Sequence, residues 1–190
     1  MKLNFAALIL FSLLLNTIAS AQGIQVTNLD GGSVVTELSS DNKVNPTSSL
    51  HRTWFAMNDP SCPIQISGAG IQIKYEFDHY QASATGTYTT AKEIRAYEMR
   101  YILFDTFGNY ITTLSDIEVG DVSSGSTNSF RGRWDAEGFV SDLLTVVTFV
   151  AQVRTDDGSV WQYDSKGIGS ELEKIKLKSA GVLEQKTKEK

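Results

Sequence analysis

The chain has 190 residues, 41% of them hydrophobic and 21% charged, with a formal net charge of −5. Such a length suits one domain with a buried core. Residues 22–169 hold ten Lys/Arg against eighteen Asp/Glu, and residues 170–190 hold six Lys against four Glu. A body this acidic repels phosphate backbones, so nucleic acid is excluded as an expected partner.

The first 21 residues read as a cleaved signal peptide. Met1-Lys2 gives a positive start, Phe5 to Leu15 is densely apolar, and Ala19-Ser20-Ala21 is the small-x-small pattern that precedes cleavage. A secreted or periplasmic location follows as an expectation. The apolar run is shorter than the roughly 20 residues of a membrane span, so no span is expected after cleavage. No cysteine stands near residue 21, which excludes a lipoprotein leader. Cys62 is the only cysteine, so no internal disulfide can form and stability must come from packing.

Residues 22–49 are polar and turn-rich, with Leu29-Asp30-Gly31-Gly32 marking a turn, Val34-Val35 opening a short edge strand, and Ser39 to Ser49 a loop. Leu50 to Met57 reads as a strand whose two faces, Leu50/Arg52/Trp54/Ala56 and His51/Thr53/Phe55/Met57, both carry apolar residues. That suits a strand covered on both sides. Asn58-Asp59-Pro60 ends it. Pro63 to Ile66 is a short strand broken by Gly68 and Gly70. Ile71 to His79 alternates strictly, with Ile71, Ile73, Tyr75 and Phe77 on one side and Gln72, Lys74, Glu76 and Asp78 on the other.

Tyr80 to Lys92, rich in Thr, Ala and Ser, reads as a loop with at most one edge strand. Ala96 to Asp105 is a strand with Tyr97, Met99, Tyr101 and Leu103 on one face. Phe107-Gly108-Asn109 turns it into Tyr110–Leu114 as a hairpin. The acidic, Gly/Ser-rich stretch Ser115 to Thr127 reads as a connector. Ser129 to Trp134 is a strand, and Ala136 to Asp142 a loop or single helical turn. Leu143 to Thr155 is the longest strand, with Val147, Phe149, Ala151 and Val153 assigned to one face.

Asp156-Asp157-Gly158 signals a hairpin, returning through Val160 to Tyr163. A two-residue turn there sets Trp161 opposite Arg154, open to cation–π stacking. A three-residue loop sets it opposite Val153, toward the core. Ser170 and Glu173 have the spacing of a capping box for a short helix reaching about Lys178, followed by a charged tail.

Short strands separated by turn signals, without a long amphipathic helix, predict an all-β, antiparallel two-sheet β-sandwich over residues 50–168, with residues 169–190 as a charged tail or short helix. The segment Ala96 to Asp164 carries Tyr-Ile-Leu-Phe-Asp-Thr-Phe-Gly-Asn, Arg-Gly-Arg-Trp and Phe-Val-Ala-Gln-Val-Arg-Thr-Asp-Asp-Gly-Ser-Val-Trp. It resembles immunoglobulin-like and fibronectin-type-III-like sandwich domains of small exported bacterial proteins without assigned activity. That resemblance implies architecture only. The inter-sheet disulfide of antibody domains is missing.

No residue set carries a catalytic, cofactor or metal motif, so no catalytic, cofactor-binding or metal-ligating residue is assigned and no cofactor is expected. Cys62 sits in a turn between Pro60 and Pro63 beside Asp59, without the positive surroundings a thiolate nucleophile needs. A plain turn cysteine is the expectation, and an intermolecular disulfide the alternative in an oxidising compartment. His51, His79 and Cys62 together could supply three ligands to zinc or copper, but at no diagnostic spacing. The acids Asp116/Glu118/Asp121, Asp135/Glu137/Asp142 and Asp156/Asp157 lack an EF-hand pattern. No Gly-x-Ser-x-Gly occurs, and Gly68-Ala69-Gly70 lacks a third glycine and a following helix. Trp54, Trp134 and Trp161 serve either core packing or a sugar-stacking surface.

The expected function is that of an exported non-enzymatic module meeting a protein or envelope partner through sheet edges and loops. The alternatives are a carbohydrate-binding module using exposed Trp and Tyr, and a metal-binding or hydrolytic protein using His, Cys or acidic loops.

Overall fold

The computed structural model describes residues 24–28, 36–37, 53–76, 78–139 and 142–178. The expected signal peptide, the turn at 29–32, Val34-Val35, the loop at 39–49 and His51 lie outside the described residues. Two sheets face each other. In the larger, β1 (Gln25–Asn28), β3 (Thr53–Asn58), β9 (Leu143–Thr155), β6 (Ile94–Asp105) and β7 (Tyr110–Val122) lie side by side in that order, and β10 (Val160–Gln162) also pairs with β9. In the smaller, the order is β2 (Thr36–Glu37), β4 (Ile64–Glu76), β5 (His79–Thr90) and β8 (Thr127–Asp135). Pairing is antiparallel except for β3 with β9 and β2 with β4. No helix of the described residues is long and apolar enough to cross a membrane.

Two apolar layers hold this arrangement. Between the sheets lie Trp54, Ile73, Ala84, Tyr101, Phe130 and Val146. On the far side of the larger sheet, Met57, Ile102, Phe104, Val147 and Phe149 pack under Ile168, Leu172 and Leu177, from the helix α1 (Ile168–Lys174) and the residues after it. β3, β6 and β9 are therefore buried on both faces over much of their length. This is why their sequences are apolar at both parities.

Several expected boundaries move, each for a local reason. Residues 80–90, expected as a loop with at most one edge strand, belong to the central strand β5, which pairs with β4 on one side and β8 on the other. Its inward residues Ala82 and Ala84 are fully buried but small, so hydrophobicity does not betray them. β4 runs unbroken through Gly68 and Gly70, absorbing an irregularity at Ser67. It ends at Glu76, and Asp78 adopts a positive φ of 63° in the turn, so His79 opens β5 instead of closing β4. The connector expected at 115–127 is mostly strand, since β7 continues to Val122.

In β9 the pairing with β6 skips Ala151. This bulge flips the parity, placing Val153 in the inter-sheet core and leaving Val147, Phe149 and Ala151 on the far face. The capping box does not form. Helix α1 begins at Ile168 after Gly167, and Ser170 lies inside it, donating its hydroxyl to the Gly167 carbonyl at 2.9 Å.

The two hairpins of the larger sheet use the same three-residue loop. The N–H of Gly108 donates to Asp105 O and that of Gly158 to Thr155 O, and these glycines take φ of 73° and 83°, the left-handed position that closes such loops. The Asp157 carboxylate accepts from the Thr155 hydroxyl at 2.6 Å and from the Ser159 N–H at 2.9 Å. These bonds, the Thr155 hydroxyl first, hold its acid well below the ordinary range. The three-residue loop sets Trp161 opposite Val153 and Val160 opposite Arg154.

Tyr101 of β6 is 1% exposed and touches rings of both sheets: Trp54 at 6.2 Å, Phe130 at 6.2 Å and Trp134 at 4.9 Å between centroids. Its hydroxyl has no hydrogen-bond partner among the described residues. Denaturant unfolding should show Tyr101→Ala losing about 3–5 kcal/mol. Tyr101→Phe should match or exceed the parent, because it removes an unsatisfied buried hydroxyl; a large loss there would mean the hydroxyl is bonded. Asp157→Ala should lower the melting temperature at pH 7. The difference should shrink as pH falls below about 4, because a carboxyl with a depressed folded-state pKa loses its contribution as it protonates.

Candidate functional site: the β7 edge and the sheet face beside it

Of the residues singled out for a metal, the two that are described, Cys62 and His79, do not converge. Cys62 lies just before Ile64, which pairs with Thr90, whereas His79 pairs with Glu76 at the opposite end of the same hairpin. At about 3.4 Å per residue the two ends of β4 are some 40 Å apart. The His79 Nε2 sits 2.9 Å from Gln81 Nε2. Among the described residues no group of three or more His, Cys, Asp or Glu side chains is placed to share a metal ion.

The acidic clusters differ in role. Asp135 accepts the Glu137 N–H at 2.9 Å, and Glu137 accepts the Tyr80 N–H at 3.0 Å, which ties down the end of β8. The tryptophans pack. Trp54 is buried against Tyr101, Trp134 donates its indole N–H to Ser115 O at 3.2 Å, and Trp161 donates to Ser61 Oγ at 3.1 Å while its ring meets Tyr163.

Cys62 is 5% exposed, and its sulfur accepts the Ile64 N–H at 3.4 Å. Burial, reinforced by the charge of Asp59, pushes the thiol up to about 12 although the Ile64 bond pulls the other way. A group of this kind is a poor nucleophile near neutral pH.

What stands out instead is the edge of the larger sheet at β7. Among the described residues this 13-residue strand pairs on one side only, with β6. Its side chains alternate between two environments. Ile117 and Val119 pair with Glu98 and Ala96 and point to the far face, beyond the reach of α1, where they are 66% and 77% exposed. Val160, 55% exposed, continues the same row through Arg154. Under this row Glu98 is buried and bonded, accepting from Arg100 Nε at 2.6 Å and from Gln152 Nε2 at 2.8 Å. A fixed, satisfied polar floor thus carries three exposed aliphatic side chains.

Asp116 and Glu118 pair with Met99 and Tyr97, which face the inter-sheet core, so their carboxylates stand at the mouth between β7 and β8. Asp116 Oδ2 is shielded from solvent and has no hydrogen-bond partner among the described residues. Burial, then the neighbouring Glu118 charge, raises its acid above the ordinary value. Its charge also acts on the unpartnered Tyr101 hydroxyl. At the far end of the edge Arg95 bridges Asp121, at 2.5 Å, and Asp156. The sequence read this stretch as a connector because its acids and glycine outweigh Ile117 and Val119.

No family model matches the chain, and no curated protein matches it. One solved structure, an X-ray structure of a hypothetical protein from Peptoclostridium difficile 630, is similar at a TM-score of 0.44 and 13% identity, over 67% of this chain and 99% of that one.

Iodoacetamide at pH 8 should leave Cys62 unmodified in the folded protein and alkylate it fully in denaturant, read by intact mass. Rapid native alkylation would contradict the burial. Because the folded-state thiol is raised, its contribution to stability is complete below the unfolded thiol value, near 8.5, and falls as pH climbs above it.

Proposed function

We propose that this chain is an exported, non-enzymatic β-sandwich module that works by contact with another polypeptide through the β7 edge and the sheet face beside it. The observation that carries this reading is the combination at β7. An edge unpaired among the described residues, with Ile117 and Val119 exposed, belongs to a sheet whose central strands are covered on both faces over much of their length. Large side chains held in water on a rigid sheet are a usual mark of a contact surface. Immunoglobulin-like kinship belongs to the same reading and is supported by two sheets facing across a shared core. Export rests on the leader pattern of residues 1–21. An intermolecular disulfide has little place in this picture, because the turn around Cys62 would have to open for a second sulfur to reach it.

A photo-crosslinking amino acid at position 117, introduced in cells that make the protein, should yield a discrete polypeptide adduct. The same group at Arg131, on the exposed face of the smaller sheet, should not. Equal labelling from both positions, or none from 117, would remove the reading.

A further inference from the structure

Resting on that reading, we propose that the β7 edge accepts an extended, basic polypeptide strand, whose backbone pairs with Ile117 and Val119 while its Lys or Arg side chains meet Asp116 and Glu118.

The backbone direction along β7 is set at Ser115. Its carbonyl accepts from the Trp134 indole of β8 at 3.2 Å, so it points away from β6. In an antiparallel ladder the backbone groups of alternate residues share a direction, and the register is unbroken from Ser115 to Val119. The N–H and C=O groups of Ile117 and Val119 therefore point outward as well. They offer an added strand the same ladder that β6 makes on the other side.

The side chains of β7 select the chemistry of the added strand. An added strand alternates its side chains between two faces. On the far face they meet Ile117 and Val119, which favours apolar residues there. On the inner face they meet Asp116 and Glu118. No Lys or Arg occurs in residues 110–122, and no described residue forms an ion pair with either acid.

The shielded Oδ2 of Asp116 and the hydroxyl of Tyr101 are both without partners among the described residues, and both can accept from an ammonium or guanidinium group. A second copy of this chain fits poorly. β7 laid antiparallel on β7 about Ile117 sets Asp116 of each copy opposite Glu118 of the other, and like charges directly opposite are destabilising.

The test titrates the full chain calorimetrically, at low ionic strength, with an alternating lysine–valine peptide and with a glutamate–valine peptide of equal length. The lysine peptide should bind at least about tenfold more tightly. The isosteric pair Asp116→Asn with Glu118→Gln should remove that preference without altering the far-ultraviolet spectrum. Ile117→Pro should abolish binding, since proline there deletes an outward N–H while leaving the β6 ladder intact. Asp142→Asn, at an exposed acid away from the edge, should change nothing.

Equal affinity for both peptides, or binding indifferent to Ile117→Pro, would overturn the proposal. So would a dimer abolished by Ile117→Pro. Binding that appears only when Lys186, Lys188 and Lys190 are changed to Glu would assign the edge to the chain's own C-terminal segment and overturn it equally. A crosslinked partner at position 117 combined with no lysine preference would defeat this inference and leave the wider reading standing.

Discussion

The structure depends on fitting large aromatic rings into the room left by very small residues of the smaller sheet. Tyr101 reaches from β6 into a space walled by Phe130 and Trp134, and that space exists because the inner faces of β5 and β8 carry Ala82, Ala84, Gly86 and Gly132. A Cβ added at Gly86 would lie 2.2 Å from the Phe130 ring and 2.3 Å from Gly68 O, and one at Gly132 would lie 2.1 Å from the Trp134 ring. Neither glycine is there for its backbone freedom. Each is a space in which an aromatic side chain lies flat on the strand, and interiors packed at crystal-like density leave no slack for an extra methyl. Small residues of the smaller sheet supply the room, rings from both sheets fill it, and the separation of the sheets follows from the sum.

That division explains which parts of the fold the sequence made legible. β6 and β9 are buried on both faces, so their apolar character was plain and β9 was delimited at Leu143 and Thr155 without error. β5 was missed because its contribution to the core is smallness. Alternating Ala, Gly, Ser and Thr looks like a loop when hydrophobicity is the only measure, although Thr favours strands. Side-chain direction was legible only between bulges. One skipped residue at Ala151 sent Val153 to the opposite core, and no periodicity in the sequence records such a skip. The choice for Trp161 reduced to the length of one loop, and Gly158 at positive φ decided it in favour of Val153.

The proposed contact surface was the least legible part, for a related reason. Reactive sites announce themselves by residue type, and here Cys62 and His79 are held at opposite ends of one hairpin while the tryptophans are spent on packing. A docking edge announces itself only by what it lacks, a neighbouring strand, and that is a fact of topology. Helix α1 sharpens the contrast. It covers Ile102, Phe104, Val147 and Phe149 but stops short of Ile117, Val119 and Val160, so one half of the same face is sealed and the other half open.

An open edge is a hazard as well as an opportunity, and charge on the edge is the usual protection against unwanted pairing. Protection alone would be served by acids that stay fully in water. Asp121 comes close, exposed and bridged by Arg95. Asp116 does not, since it shields one oxygen from solvent without a partner and has its ionisation disfavoured by burial. A carboxylate in that position costs stability in the free protein, and a cation brought in by an added strand would relieve the cost. The same placement discourages a second copy: opposed carboxylates about 5 Å apart repel by roughly 0.8 kcal/mol even at the dielectric constant of water, and by more where water is excluded. Repulsion of the like-charged strand and attraction of the oppositely charged one are thus a single electrostatic property of β7, and it is the one shielded, unpartnered oxygen of the half-buried Asp116 that separates this arrangement from simple solubilisation.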